Sequence, residues 1–111
     1  MIVHICSRAE WEAVQPGGDY RTASLVEQGF IHASRPEQAL ATANRFFAGQ
    51  DGLVLLWIDP QLLQAPLVFE PADGDTFPHI YGVLNPQAVI GVSTFSPDSD
   101  GVFRSLPEFQ D

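Results

Sequence analysis

The feature that most constrains the fold is an uninterrupted apolar run, Leu53–Ile58, near the middle of the chain. These six residues show neither the alternation of a half-buried strand nor the period of a surface helix, and the run is short for a helix. We therefore predict a central strand that is buried on both faces. The 111-residue chain is 45% hydrophobic, which is enough to cover such a strand without metals or disulfides.

Short strands and short helices alternate around this run. Three Ser-x-x-Glu patterns, which begin at Ser7, Ser24 and Ser34, have the spacing of a helix capping box. They predict a helix to about residue 14, a short turn closed by Gly29, and a helix to about residue 48. Helical turns are expected at 59–63 and 86–89, further strands at 2–6, 30–33, 67–70, 79–82 and 90–95, and a loop at 71–76.

This order of elements predicts an α+β fold, a small mixed-sheet split core with two to three short helices. We expect a single domain over residues 1–95 and a loosely held C-terminal tail over 96–111, where Pro, Asp, Ser and Gly dominate.

Charge excludes one class of partner. The net charge is −9, and the chain contains no lysine and five arginines. Binding to nucleic acid needs a clustered basic surface, so we expect no nucleic-acid partner. A small anionic ligand is still compatible, because one or two arginines and backbone N–H groups suffice to hold it.

The sequence also favours a cytoplasmic protein. No apolar run approaches the roughly 20 residues that span a membrane, and the N-terminus lacks the pattern of a signal peptide. The single cysteine, Cys6, has no partner for an internal disulfide and is interpreted as a small buried hydrophobe. Nothing in the sequence sets the oligomeric state.

Three histidines form the best candidate site. His4, His32 and His79 each lie in or beside a predicted apolar strand, where an imidazole needs hydrogen-bond partners. We predict that they line or approach one cleft; three separate core imidazoles are the alternative. Three histidines can also hold a catalytic zinc ion. However, none of the spacings is that of a short metal-binding motif, so we expect no metal site.

Three further residues are candidates for chemistry or binding. Glu70 ends an apolar strand and is a candidate general acid or base, or a stabiliser of a developing cation. Arg21, in an irregular segment, is a candidate for binding a phosphate. Tyr81, between His79 and Gly82, offers a ring face on which a ligand can stack.

Motifs across residues 2–95 resemble the domain-of-unknown-function 952 family. The matching segments are His4, Ala9-Glu10-Trp11, Tyr20 with Ser24, Gly29-Phe30-Ile31-His32-Ala33-Ser34, Ala43-Asn44-Arg45-Phe46-Phe47, residues 53–59, Glu70, and Phe77-Pro78-His79-Ile80-Tyr81-Gly82. That family is similar in fold to the ADP-ribosyltransferase superfamily, whose split α+β core clamps NAD between two small sheets.

The resemblance implies roles for individual residues. His4 would contact the NAD ribose, His32 or Ser34 would line the nicotinamide end, and Glu70 would stabilise the ribosyl cation. The chain has no clear Glu-x-Glu motif of arginine-modifying transferases, which argues against ordinary protein ADP-ribosylation.

Three functions follow as hypotheses. The first is an enzyme that binds NAD or an ADP-ribose-like ligand in a histidine-lined cleft and performs ADP-ribosyl transfer or another NAD-processing reaction, with NAD as ligand or substrate. The second is a non-catalytic module that binds a small ligand in the same cleft. The third is a zinc-dependent hydrolase.

Overall fold

The computed structural model describes residues 1–109. It contains six strands, β1 (Ile2–Ser7), β2 (Ile31–His32), β3 (Leu53–Ile58), β4 (Leu67–Ala72), β5 (Asp75–Ile80) and β6 (Val89–Phe95). The α-helices are α1 (Arg8–Glu12), α2 (Ala23–Gln28) and α3 (Ala39–Phe46), and short 3-10 turns cover Pro36–Gln38, Pro60–Leu62 and Pro86–Ala88. None of the helices in this range is long and apolar enough to cross a membrane.

The strands form two three-stranded sheets. One has the order β1-β3-β6 and the other the order β2-β5-β4. The prediction of an α+β fold with a split core is therefore confirmed, whereas the prediction of mixed sheets is wrong. All four pairings between these strands are antiparallel, so neither sheet mixes parallel and antiparallel strands.

Strand β3 is buried along its whole length, as its apolar run predicts. Its side chains alternate between two core clusters. Val54, Leu56 and Ile58 pack with residues of the second sheet, such as Ile31 and Ile80. Leu53, Leu55 and Trp57 belong to a cluster on the other side, which contains Ala39 and Ala43 of α3 together with Phe95 and Phe103. Because an apolar cluster covers each face of β3, none of its side chains faces solvent, and this explains its uninterrupted apolar run.

Two isolated backbone bridges add to the pairing within the sheets. Val3 and Ser34 exchange two hydrogen bonds of 2.8 Å, which join β1 to the segment that follows β2. Tyr20 and Leu84 exchange two bonds of 2.9 Å, which join the segment before α2 to the segment after β5. The first sheet thus backs directly onto the second.

The capping patterns mark helix starts with unequal accuracy. The box at Ser7 is formed as predicted, and Gly29 closes α2 in the left-handed conformation at φ 90°. The cap of α2 is Thr22 rather than Ser24, because the Thr22 hydroxyl accepts the N–H of Leu25. The serine hydroxyl instead donates to the carbonyl of Phe30.

The predicted box at Ser34 is also displaced. Arg35 occupies the cap position, and the helical segment begins with a 3-10 turn before α3. The Ser34 hydroxyl lies 3.4 Å from that of Thr42 and caps no backbone N–H of this segment. The helix α3 ends at Phe46, two residues earlier than predicted.

The predicted loop at 71–76 is a tight hairpin. Strands β4 and β5 continue through these residues and pair up to Ala72 and Asp75. The turn between them is Asp73-Gly74, with φ of 52° and 79°. Two consecutive residues with positive φ match the twist of a two-residue hairpin, so Asp-Gly closes it with little strain. Of the short strand predicted at 79–82, His79 and Ile80 are the last residues of β5, and residues 81 and 82 lie beyond the strand.

The C-terminal segment is anchored, in contrast to the loosely held tail that composition predicts. Phe103 is 2% exposed and stacks near Phe95 in the core beneath α3. The side chain of Asn44 exchanges two hydrogen bonds, of 2.7 and 2.8 Å, with the backbone of Phe103. The predicted tail includes residues 110 and 111, which lie outside the described residues.

Candidate functional site

The second sheet brings four of the predicted site residues onto one face. His32 of β2 is the cross-strand partner of His79 of β5. Glu70 of β4 pairs with Phe77, two residues before His79, so the period-two alternation puts Glu70 on the same face as His79. Tyr81 follows two residues after His79. Together with Phe30, these residues are named here the histidine face: Phe30, His32, Glu70, His79 and Tyr81.

One oxygen of Glu70 receives two hydrogen bonds. Nδ1 of His79 donates to Oε1 of Glu70 at 2.8 Å, and the Tyr81 hydroxyl donates to the same oxygen. These bonds hold the pKa of Glu70 below its ordinary value, with the Tyr81 hydroxyl as the larger cause. The pKa of Tyr81 is raised in return. Glu70 is therefore an ionised acceptor that fixes the orientation of the His79 ring.

Nε2 of His79 is the open end of this arrangement. It has no hydrogen-bond partner among residues 1–109. The same part of the chain contains no buried polar side-chain atom without a partner, so Nε2 is in contact with solvent although the residue is only 7% exposed. A carboxylate on Nδ1 and a free Nε2 is the arrangement of an imidazole prepared to accept or donate a proton.

His32 adds a second imidazole. Its Nε2 donates to Oε1 of Gln28 at 2.7 Å, and its ring lies edge-on to His79, with 5.5 Å between centroids. Burial, and secondarily the neighbouring His79, lower the pKa of His32. Phe30 stacks on the His79 ring at 4.1 Å and lies 5.3 Å from the ring of Tyr81. The face thus combines two imidazoles with two aromatic rings.

His4 lies behind this face, inside the core. Its Nδ1 donates to the backbone carbonyl of His32 at 2.5 Å, and its Nε2 accepts from the Tyr20 hydroxyl at 2.9 Å. Burial lowers the pKa of His4, which keeps the ring neutral. His4 therefore reaches the other two histidines through a main-chain atom, and both of its nitrogens are engaged within the protein.

Two predicted ligand-binding residues make no hydrogen bond with the histidine side chains in residues 1–109. Ser34 is buried, and its hydroxyl lies 3.4 Å from that of Thr42 on α3. Arg21 is exposed at the surface next to the Tyr20 bridge. In residues 1–109 the other four arginines each pair with a carboxylate, whereas Arg21 has no such partner; the pairs are Arg8–Glu12, Arg35–Asp75, Arg45–Asp73 and Arg104–Asp100.

One surface depression lies elsewhere on the molecule, and no metal-binding cluster coincides with this site among residues 1–109. A depression of about 380 Å³ is lined by Trp11, Pro16 and Pro86 with their neighbours, and no predicted site residue borders it. Across residues 1–109, no three His, Cys, Asp or Glu side chains converge in a way that can hold a metal ion.

Sequence reasoning missed two residues of this neighbourhood and assigned no role to a third. Phe30 stands two residues before His32, so period-two alternation places both on one face, which was an available signal. Gln28 reaches His32 only because the left-handed Gly29 turns the chain back, which no spacing rule reveals. Tyr20 entered as part of a motif, and its bond to His4 joins residues 16 positions apart.

The comparisons with known proteins fix the family. The family model described as DUF952, a protein of unknown function, matches residues 5–92. The chain belongs to this family. It is similar to crystal structures of protein CC0527 from Caulobacter crescentus and of a double mutant of that protein. The identities are 39% and 38%, the TM-score is 0.83 for both, and each match covers 93% of this chain and 92% of that one.

The chain is also similar to a solution structure of CC0527, with 38% identity, a TM-score of 0.74, and coverage of 93% of this chain and 90% of that chain. A comparison with curated proteins gives no match. The family assignment therefore comes without an activity, and the function has to be argued from the histidine face.

Proposed function

We propose that the histidine face binds NAD or an ADP-ribose-like ligand and that His79, held by the ionised Glu70, accepts a proton while this ligand is processed. One observation carries the proposal. The imidazole of His79 is held by a carboxylate at Nδ1, has a solvent-accessible Nε2, and is stacked against an aromatic ring. The two small three-stranded sheets support the resemblance to the ADP-ribosyltransferase fold.

The rings of the face suit the flat part of such a ligand. Tyr81 is 37% exposed, so one side of its ring is open to a nicotinamide or adenine ring. Phe30 lies beside it and covers His79. A ligand ring stacked on Tyr81 would therefore place the attached ribose near Nε2 of His79.

Charge supports an anionic ligand of small size. Arg21 is the arginine without an ion pair in residues 1–109, and it follows Tyr20, whose backbone is bridged to Leu84. That antiparallel bridge brings the segment of Arg21 alongside the segment that follows Tyr81. A pyrophosphate extending from the ring site can be met by this guanidinium. The net charge of −9 disfavours a longer polyanion.

The chemistry follows from the free nitrogen. Nε2 of His79 takes the proton of an attacking water or acceptor hydroxyl, and the ionised Glu70 stabilises the imidazolium that forms. A new C–O bond forms at the ribose carbon, the C–N bond to nicotinamide breaks, and its electron pair leaves with nicotinamide. The C–N bond between the ribose and nicotinamide is thus replaced by a C–O bond, without any redox step.

A non-catalytic binding module is the second candidate, and a specific contact favours it. The Glu70 oxygen that holds His79 is also occupied by the Tyr81 hydroxyl. Such a closed network is equally suited to hold a rigid binding surface. The two candidates share the ligand and differ in turnover.

The test is calorimetry with NAD, ADP-ribose and nicotinamide, followed by chromatography of NAD incubated with the protein. We expect binding of ADP-ribose and slow release of nicotinamide by the wild type, with release lost in Glu70→Gln and His79→Gln. Glu12→Gln is the matched control, because it removes the same charge at an exposed position that pairs only loosely with Arg8, at 3.8 Å.

The outcomes separate the candidates. Binding with no release of nicotinamide would leave the binding module. No detectable heat with any of the three compounds, on folded protein at millimolar concentration, would overturn the ligand class. Equal release by the wild type and both site variants would overturn the assignment of Glu70 and His79.

A further inference from the structure

We propose that His4 is a positioning residue, which together with Tyr20 holds the histidine face from the core side and does not touch the ligand. This inference rests on the proposed function for the identity of the ligand. It departs from the role that the family resemblance implies, a direct contact between His4 and ribose.

The evidence begins with the hydrogen bonds of the ring. A neutral imidazole has one donor and one acceptor. Nδ1–H of His4 is used by the His32 carbonyl, and Nε2 is used by the Tyr20 hydroxyl. His4 is 7% exposed and Tyr20 is 2% exposed. No nitrogen remains for a ligand, so contact with one would first require breaking a buried bond.

The same two bonds join both sides of the face. Through the His32 carbonyl, His4 fixes the residue whose ring lies against His79. Through Tyr20, it reaches the backbone bridge to Leu84, three residues after Tyr81. The position of His32 relative to Tyr81 thus depends on one ring between them, in addition to the pairing of β2 with β5.

The structure also explains why an apolar residue would not serve. Ile2 and Cys6 share this face of β1 with His4 and pack into the core between the sheets. A leucine at position 4 would fit this apolar environment but would leave the His32 carbonyl without its side-chain donor. A side chain with a donor at the place of Nδ1 is needed to keep this bond to the His32 carbonyl.

Two conservative variants separate positioning from simple stability. In His4→Asn the amide nitrogen falls near the place of Nδ1, so the bond to the His32 carbonyl is retained. In His4→Gln the amide reaches the place of Nε2, so only the bond to Tyr20 is retained. Two readouts are used: the affinity for ADP-ribose by calorimetry, and the titration of the His32 and His79 ring protons by NMR.

We expect His4→Gln to weaken ADP-ribose binding by about tenfold, the ratio that corresponds to one lost hydrogen bond, and to shift the His32 titration. His4→Asn should stay within about threefold of the wild type and leave that titration unchanged, as rescue by one retained bond requires. If His4 only stabilised the fold, both variants would have a lower unfolding midpoint, and neither the affinity for ADP-ribose nor the His32 titration would change.

Failure of this inference is distinguishable from failure of the proposed function. If the wild type binds none of the ligands, the proposed function falls, and the His32 titration still tests His4. Equal binding and equal His32 titration in folded His4→Gln, His4→Asn and wild type would overturn positioning. If His4→Asn does not fold, Tyr20→Phe replaces it, because it likewise removes only the bond to Tyr20 and keeps the bond to the His32 carbonyl. If His4→Gln does not fold, His4→Leu replaces it, because it likewise lacks a donor for that carbonyl. A His32 titration that is the same in both replacements and in the wild type would likewise overturn positioning.

Discussion

The hydrogen bond between Tyr20 and His4 can be tested by a double-mutant cycle. Tyr20→Phe removes the hydroxyl and keeps the ring, which packs 6.0 Å from Trp11. Nε2 of His4 then becomes a buried acceptor without a donor. Leaving such a group unsatisfied costs about 1–3 kcal/mol. We expect the free energy of unfolding, measured by urea denaturation at pH 7.5, to fall by that amount.

The second arm of the cycle is His4→Leu, which leaves both the Tyr20 hydroxyl and the His32 carbonyl without a side-chain partner. In the double variant only the carbonyl remains unsatisfied. The double variant should therefore be more stable than the sum of the single changes predicts, because it avoids the penalties of both the unpaired Nε2 and the unpaired hydroxyl, about 1–3 kcal/mol each. Tyr81→Phe is the matched control, because the same atom is removed at the surface; we expect a change within about 0.5 kcal/mol. Additive effects of the two core substitutions would refute the reasoning.

Three further predictions concern the pH dependence, the C-terminal segment and the thiol. The pKa values of His4 and His32 lie below the ordinary 6.5 in the folded state, so the unfolded chain binds more protons below that pH. The unfolding free energy should be constant above about pH 7 and fall between pH 6.5 and 5.5, and a flat urea midpoint there would contradict this. Phe103→Ala should cost about 3–5 kcal/mol in urea denaturation, whereas exposed Phe46→Ala should cost less than about 1 kcal/mol; equal costs would show that the segment is not anchored. Burial raises the pKa of Cys6 to about 11, so a thiol reagent at pH 8 should react only after denaturant is added, and rapid labelling of native protein would contradict the buried position.

Local signals were sufficient for much of the fold. The apolar run of β3 predicted a strand with two covered faces, and the two core clusters supply those faces. The box at Ser7 and the glycine at position 29 marked helix ends because each acts on backbone groups a few residues away. These features depend on neighbours in sequence, which a single sequence displays.

Features that depend on distant partners were missed. The segment 71–76 has loop composition, and only the pairing of β4 with β5 turns it into a hairpin. The C-terminal segment is rich in Pro, Asp and Ser, and one buried ring with one asparagine anchors it. Composition reports the average polarity of a segment, whereas anchoring depends on single contacts with residues far along the chain.

The candidate site, too, was predictable from local signals only in part. Histidine in apolar strands was a signal that each ring needs partners, and the structure supplies partners for all three. The sequence could not show which partners. His79 is held by a carboxylate and His32 by an amide, whereas His4 is engaged at both nitrogens. The difference between a proton-transfer group and a support is set by these partners, not by residue type.

The polar pair in the core also separates stability from positioning. Replacing both partners of a buried hydrogen bond by apolar groups of similar shape is often nearly neutral, so stability alone gives little reason to retain His4 and Tyr20 between two apolar sheets. If their task is to hold His32, the His4→Leu/Tyr20→Phe variant should be more stable than His4→Leu alone and still bind ADP-ribose about tenfold more weakly than the wild type. If their task is stability only, binding should recover together with the unfolding free energy. Measuring both quantities on this one variant decides between the two explanations.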